Sequence, residues 1–237
     1  MSQACRHAAA AFALLCCGYA SAAPYPTEGQ LRTAIENAAK LVKTEGLDVE
    51  MFDAQKVGVT QPLLGARLSL GNGACEVFYN TKPEDGLTQY FATIAANDLP
   101  LLLNAMAVHE TTHCIEQREA YVRKHFDKIL PPGFHPDSAT VQGYTSAVQS
   151  GALDTWGEAL ADIASLLYLK QAAPGQWVEL AQSVAGMRRD LARKWPAHDT
   201  SPWLYKMIAA DADANASVNQ SLFDTAFQLR RQYRPGG

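Results

Sequence analysis

The feature that most constrains this chain is a pair of histidines four residues apart in an apolar stretch. They stand in His109-Glu110-Thr111-Thr112-His113, and most of the ten preceding residues are Leu, Ala, Met or Val. Residues four apart share one face of an α-helix, so both imidazoles can reach a single ion. Histidines on a buried helix need polar partners. The pentapeptide therefore predicts a buried helix that carries part of a metal site.

Glu110 follows the first histidine and can lie beside a bound ion without binding it. The helical pattern His-Glu-x-x-His is typical of zinc peptidases. The longer pattern His-Glu-x-x-His-x-x-Gly-x-x-His is absent, because Glu116 and Glu119 stand at its Gly and third His positions. The pentapeptide alone leaves open a simpler alternative, two solvated histidines on a helix.

The third ligand has to come from elsewhere, because a catalytic zinc site usually has three protein ligands and one open position. Glu158 is the best candidate, and Asp162 lies four residues further along the same predicted helical face. Thr155 and Glu158 also fit a capping box, in which Glu158 would bind only the backbone of Thr155. The apolar run from Ala159 to Leu169 buries this helix and favours the metal site.

These residues give the sequence its resemblance to the gluzincin group of metallopeptidases, over two helical segments. In that group a downstream Glu-x-x-x-Asp supplies the third ligand and then a carboxylate that orients a ligand histidine. The resemblance implies a zincin-like catalytic core with Zn²⁺ as cofactor. It implies His109, His113 and Glu158 as ligands, and Asp162 as the partner of one of the histidines.

The expected activity is hydrolysis of a peptide or protein substrate, with Glu110 as the general base. The group often uses a downstream His or Tyr to stabilise the oxyanion. His198, in the polar loop 196–202, is the first candidate and Tyr144 the second. His198 could equally be an exposed loop residue, with Thr200 or Ser201 capping the next helix.

Two other functions fit the same motifs. One is a zinc-containing binding protein that keeps the peptidase fold without catalysis, although it would not need Glu110. The other is a zinc amidase, or another hydrolase of a non-protein bond, because the pentapeptide does not select the carbonyl group. The physiological substrate and the oligomeric state are left open.

The N-terminal residues predict export. Arg6 and His7 precede an apolar run, and the small residues Ala20-Ser21-Ala22 suit a signal peptidase. We expect a signal peptide over 1–22 and a single domain over 23–237, periplasmic or secreted and without a stable membrane anchor. Cys75 and Cys114 would remain in an oxidising compartment, either as one disulfide or as two buried thiols.

Composition limits the partners. The chain is 48% apolar and 19% charged, as in ordinary globular proteins, and its net charge is -4. Because the pI is near 5.9, electrostatic binding to nucleic acid is not expected.

The periodicity predicts an α+β fold that is predominantly α-helical, with a small antiparallel sheet near the N-terminus. The sheet should be a hairpin of strands over 66–70 and 74–79. Residues Cys75 to Tyr79 of its second strand are either a substrate-binding edge or simply half of a packed sheet. The breaker-rich segment from Pro131 to Gly151 is long for a loop of a compact domain, so we expect it to be either partly ordered or a functional flap. Helices are expected over 27–45, 84–96, 99–126, 154–171, 174–195, 201–214 and 220–233.

Overall fold

The computed structural model describes residues 24–60, 63–134, 137, 139–210 and 221–235, and most of them are helical. The expected signal peptide lies outside these residues. A π-helical turn, Glu119–Arg123, extends the helix Leu99–Arg118, and a 3-10 turn, Pro196–His198, precedes the helix Ser201–Ala210. The helices are α1 (Glu28–Thr44), α2 (Ala54–Val57), α3 (Asp85–Phe91), α4 (Leu99–Arg118), α5 (Phe126–Ile129), α6 (Val141–Gln149), α7 (Asp154–Ala172), α8 (Trp177–Leu191), α9 (Ser201–Ala210) and α10 (Leu222–Gln232).

The sheet has three strands, β1 (Val49–Asp53), β2 (Leu64–Leu68) and β3 (Cys75–Tyr79), in the order β1-β3-β2. Strands β2 and β3 pair antiparallel, which confirms the predicted hairpin. The prediction of a purely antiparallel sheet is wrong, because β1 pairs parallel with β3. The sequence does not indicate β1, since its residues alternate in polarity only briefly and remain half-buried or exposed.

Helix α4 is the centre of the fold. It packs against α1, α7 and β2 and is buried on most of its circumference, as the apolar run before His109 predicts. Helix α1 begins with a full capping box between Thr27 and Gln30, and its apolar face, from Leu31 to Val42, packs on α4. Among the described residues, no helix is both long enough and apolar enough to span a bilayer.

Several predicted boundaries shift. Helix α8 begins at Trp177, after Pro174, and α3 ends at Phe91. The segment from Pro131 to Gly151 is not a loop throughout, because α6 forms within it and the Thr140 hydroxyl caps its first turn. A single Thr cap is too weak a signal to predict a helix of this length from the sequence.

A disulfide joins Cys75 of β3 to Cys114 of α4, and both cysteines are fully buried. Cys114 follows His113, about 100° around the helix, and faces the core. The bridge therefore ties the sheet to the helix that carries the histidines.

Replacing both cysteines with alanine should lower the free energy of unfolding by about 2–4 kcal/mol. The cross-linked cysteines are 39 residues apart, and the bridge restricts the unfolded chain over that distance. Urea unfolding of the parent and the variant, each with and without reductant, measures the difference. The reductant should destabilise only the parent, and equal midpoints for all four samples would contradict the prediction.

The two glutamates at the Gly and third His positions of the longer zinc pattern have structural roles. Glu116 accepts a hydrogen bond of 2.5 Å from the fully buried Arg230, whose guanidinium also donates to the backbone oxygens of Trp156 and Ile129. Glu119 contacts the cationic side chains of Arg123 and Lys128 and the imidazole of His125. Neither glutamate is among the residues that could hold a metal ion.

Glu119→Gln should make the protein less stable at neutral pH by about 1 kcal/mol. Burial by itself raises the pKa of Glu119, but His125, Lys128 and Arg123 outweigh it and lower the pKa below its ordinary value. The stabilisation is therefore present above the unfolded-state pKa and is lost as the pH falls through the folded-state pKa. Chemical unfolding at pH 7 and at pH 3 should show the two proteins converging in acid, and a constant difference would refute this origin.

Candidate metal centre

Helices α4 and α7 pack together and bring three potential metal ligands to one point. The Nε2 atoms of His109 and His113 lie 3.2 Å apart. Glu158 on α7 places Oε2 3.4 Å from the first Nε2 and Oε1 3.5 Å from the second. Among the residues that the structure describes, these three form the one group of His, Cys, Asp or Glu side chains that could hold a metal ion.

The spacing and chemistry of this group fit zinc. Zinc takes nitrogen and oxygen ligands at about 2.0–2.1 Å, so tetrahedral ligands lie roughly 3.3–3.4 Å from one another. The separations of the facing atoms are 3.2 to 3.5 Å, with a different Glu158 oxygen facing each histidine. One ligand atom from each of the three residues can be chosen so that all lie within 4.8 Å of one another. Glu158 Oε2 is buried and accepts no hydrogen bond of good geometry from the described residues. Two histidines and one glutamate also form a common ligand set of catalytic zinc.

The capping-box alternative for Glu158 is wrong. Helix α7 begins at Asp154 after the N-cap Leu153, which makes no side-chain cap, so Thr155 already lies inside the helix. Glu158 lies one turn further on and faces α4. Burial by itself raises the pKa of Glu158, but His109, His198 and His113 outweigh it and lower the pKa far below its ordinary value.

Asp162 is placed as the resemblance implied, and its partner is His109. Its Oδ1 lies 2.8 Å from His109 Nδ1, which leaves Nε2 facing the other ligands. The buried Thr200 hydroxyl donates a hydrogen bond to Asp162 Oδ2, so the Thr200 side chain does not cap α9. At the start of α9 the Asp199 carboxylate accepts a hydrogen bond from the backbone N–H of Ser201.

The charges of this pair reinforce each other. Burial raises the pKa of Asp162, but Arg188 and His109 outweigh it and bring the pKa down to about 2. Burial lowers the pKa of His109, but Asp162 outweighs it and brings the pKa up to about 10. An ionised Asp162 fixes the ring orientation of His109 and increases its basicity as a ligand.

Arg188 of α8 is the residue of this site that the sequence does not indicate. Its Nη2 lies 2.7 Å from Asp162 Oδ1, 3.1 Å from Glu158 Oε2 and 3.2 Å from both ring nitrogens of His109. The segment from Met187 to Lys194 has the composition of a solvated face, yet Arg188 is only 11% exposed. Its neighbours Arg189 and Arg193 point to solvent, so local composition gives no signal for it.

Glu110 lies beside the ligand group without belonging to it. Its Oε1 is 3.9 Å from His109 Nε2, and the side chain is 19% exposed. Burial raises the pKa of Glu110 above its ordinary value, against the opposing effect of the two histidines. A carboxylate with a raised pKa next to a metal position has the properties of a general base.

Of the two oxyanion candidates, His198 lies nearer to the ligand group. Its Nδ1 is 3.3 Å from Glu158 Oε2, and 41% of its side chain is exposed. The contact with Glu158 raises the pKa of His198 and so favours its protonated form. Tyr144 is buried in α6 against the ring of Tyr121, in the wall of a cavity that also reaches His113.

Two cavities meet at these residues, and both are lined in part by His113, Glu158 and His198. Cavity A has a volume of about 620 Å³ and lies between β2, α3, α4 and α8. Cavity B has a volume of about 580 Å³ and lies between the end of β2, α4, α6 and the start of α7.

The strand beside both cavities is β2, not the predicted β3. Strand β3 is the central strand, so it has no free edge, whereas β2 is an edge strand of the described sheet. The Ser69 N–H donates to Ala74 and the Leu63 carbonyl accepts from the Asn80 N–H, so both residues bond to the two positions that flank β3. Antiparallel alternation therefore turns the backbone of Leu64, Ala66 and Leu68 toward the free edge, where the Leu68 N–H donates to Gln117.

Comparison of the chain with models of known protein families, with curated proteins and with solved structures gives no match.

Proposed function

We propose that this protein is an exported, zinc-dependent metallopeptidase of the gluzincin type. The observation that carries the proposal is the convergence of His109, His113 and Glu158 at separations of 3.2–3.5 Å, with the Glu110 carboxyl beside them. A protein that only stores or retains zinc has no use for an additional buried carboxylate at this position. Hydrolysis does require one.

Zinc held by these three residues would supply Lewis-acid chemistry, polarising a carbonyl group and lowering the pKa of a water molecule to about 7. Glu110 accepts the proton that the attacking water loses. The same carboxylic acid then protonates the departing amine, so a single side chain carries the proton from the attacking water to the leaving group. Asp162 and Arg188 keep His109 and Glu158 in position.

A peptide substrate is favoured over other carbonyl compounds by the free edge of β2. The outward backbone groups of Leu64 and Ala66 line cavity A and can pair with an extended peptide, which supplies the complementary N–H and C=O groups. The buried disulfide supports an oxidising compartment, periplasmic or extracellular, as the expected location.

His198→Ala should reduce kcat on the order of 10²-fold while KM and zinc content change little. The imidazole lies 3.3 Å from Glu158 Oε2, so it is within reach of an oxyanion that forms beside the proposed metal position. Steady-state kinetics of this variant and of Tyr144→Phe separate the two candidates. If only Tyr144→Phe loses kcat, the oxyanion role belongs to Tyr144 and the assignment of His198 is wrong.

Peptide hydrolysis by the purified chain is the direct test. Zinc content is measured by atomic emission, and a mixed peptide library is digested before and after treatment with a chelator. We expect peptide cleavage that stops with the chelator and returns when zinc is added back. A zinc-loaded protein that leaves the peptide library intact but cleaves amides that are not peptide bonds would support the amidase alternative. If it binds peptides but cleaves nothing, it is a binding protein.

A further inference from the structure

The metal centre lies at the junction of two cavities, and not at the closed end of one. Cavities A and B share His113, Glu158 and His198, and each extends away from these residues in its own direction. Volumes near 620 and 580 Å³ are both within the range of ligand-binding pockets. A substrate therefore has room on both sides of the bond that meets the metal centre.

The two cavities differ in chemistry. Cavity B has polar side chains on its wall, among them Gln117, Thr145 and Asp154. Cavity A has a mostly apolar wall, formed by Leu64, Leu87, Leu102, Met106, Val184 and Met187. A bulky apolar side chain gains the most from transfer into cavity A, because the gain scales with the apolar area removed from water.

Exposed apolar side chains continue both cavities outward. Leu70 is 71% exposed and Val148 41% exposed, and both line cavity B, while Trp195, 38% exposed, lines cavity A. Single exposed apolar side chains are common on protein surfaces, but beside a pocket they can pack against a bound ligand and be removed from water. Their position at both cavities indicates a ligand that extends beyond each.

Strand β2 connects the two cavities. Leu64 and Ala66 line cavity A, and Leu68 lines cavity B. At about 3.3 Å per residue, the strand offers an extended ligand a track of roughly 17 Å. Arg188 is engaged by Asp162 and Glu158 and so is not available to bind a terminal carboxylate. The other Lys or Arg side chain on the wall of cavity A, that of Lys194, is exposed and lies over the Trp195 ring at 4.3 Å.

We infer that this site is that of an endopeptidase: it takes an internal segment of an extended polypeptide, places a bulky apolar side chain in cavity A and lets the chain continue through cavity B. The inference rests on the proposed function and names its substrate class. The substrate is recognised by its extended backbone and one apolar side chain, and neither terminus is required.

Binding to a zinc-loaded Glu110→Gln variant tests the inference without catalysis. The probes are ten-residue peptides blocked at both ends, with either Phe or Ala at a central position, and shorter versions that lack one half. The blocked Phe peptide should bind about tenfold or more tightly than the Ala peptide. Removing either half should weaken binding at least severalfold.

Variants of the cavity A wall locate the preference. Met187→Trp or Leu87→Trp, on opposite walls, should abolish the difference between the Phe and Ala peptides. Val178→Trp is the matched control, because Val178 lies on the same helix as Met187, is 40% exposed and lines neither cavity. Melting temperatures of all variants identify any that fail to fold, and the two walls provide independent tests.

Mass spectrometry of the same blocked peptides with the parent enzyme supplies the second readout. Internal cuts next to the apolar residue support the inference. Cleavage that requires an unblocked version of the peptide and is confined to its free termini, or equal binding of the Phe and Ala peptides, overturns the inference even if hydrolysis itself is zinc-dependent. Selective binding of the blocked Phe peptide without any hydrolysis supports the polypeptide groove and overturns the proposed peptidase activity.

Discussion

Glu110→Gln is expected to lower kcat/KM for peptide hydrolysis on the order of 10⁴-fold while the protein keeps its zinc. Glutamine has the shape of glutamate but cannot accept the proton that water loses. The replaced side chain lies 3.9 Å from His109 Nε2 and is not one of the three ligands, so the metal group should be unaffected. Initial rates on a fluorogenic peptide and zinc content by atomic emission measure the two effects separately.

Glu36→Gln is a suitable control, because Glu36 is an exposed glutamate on α1, outside both cavities. It should match the parent in rate and in zinc content. A Glu110→Gln protein that is as active as the parent would exclude Glu110 as the general base. A variant that also loses zinc would mean that Glu110 helps to hold the ion.

Glu158→Ala is expected to remove zinc from the purified protein and activity with it. Two histidines alone leave the ion one protein ligand short of the usual three. The substitution also leaves His109, His113 and Arg188 without the carboxylate that faces them. Zinc content after extensive dialysis, and the zinc concentration needed to restore activity, measure the loss of affinity.

Glu179→Ala tests whether any loss of a helical glutamate has this effect, since Glu179 is exposed on α8. It should retain a full complement of zinc. Circular dichroism shows whether the Glu158→Ala protein is still folded. If the folded variant keeps its zinc as firmly as the parent, Glu158 is not a ligand, and the proposed metal centre loses its basis.

Some of the site was predictable because its elements are local. The spacing of His109 and His113 places both rings on one helical face in any fold that keeps the helix, and Glu158 and Asp162 repeat that relation. The two cysteines are bridged, as one of the two sequence interpretations required. Helix α1, with its cap at Thr27, has nearly its predicted bounds.

Other parts could not be predicted, because they depend on which surfaces meet. Arg188 is 26 residues from Asp162 and 79 from His109, and its sequence neighbours are exposed arginines. Thr200 binds Asp162 across 38 residues, although its place in the sequence suits a helix cap. Strand β1 is held in the sheet by parallel pairing with β3, and the residues of β1 show no pattern that predicts this pairing.

The sequence by itself determined the two helical faces that carry ligand side chains, because side-chain direction on a helix follows from residue spacing alone. Only the tertiary structure decided that these faces meet at 3.4–3.5 Å, that β2 is the free edge, and that Asp162 orients His109. Distances between separate elements are set by the packing of the core between them, and no local pattern specifies that packing.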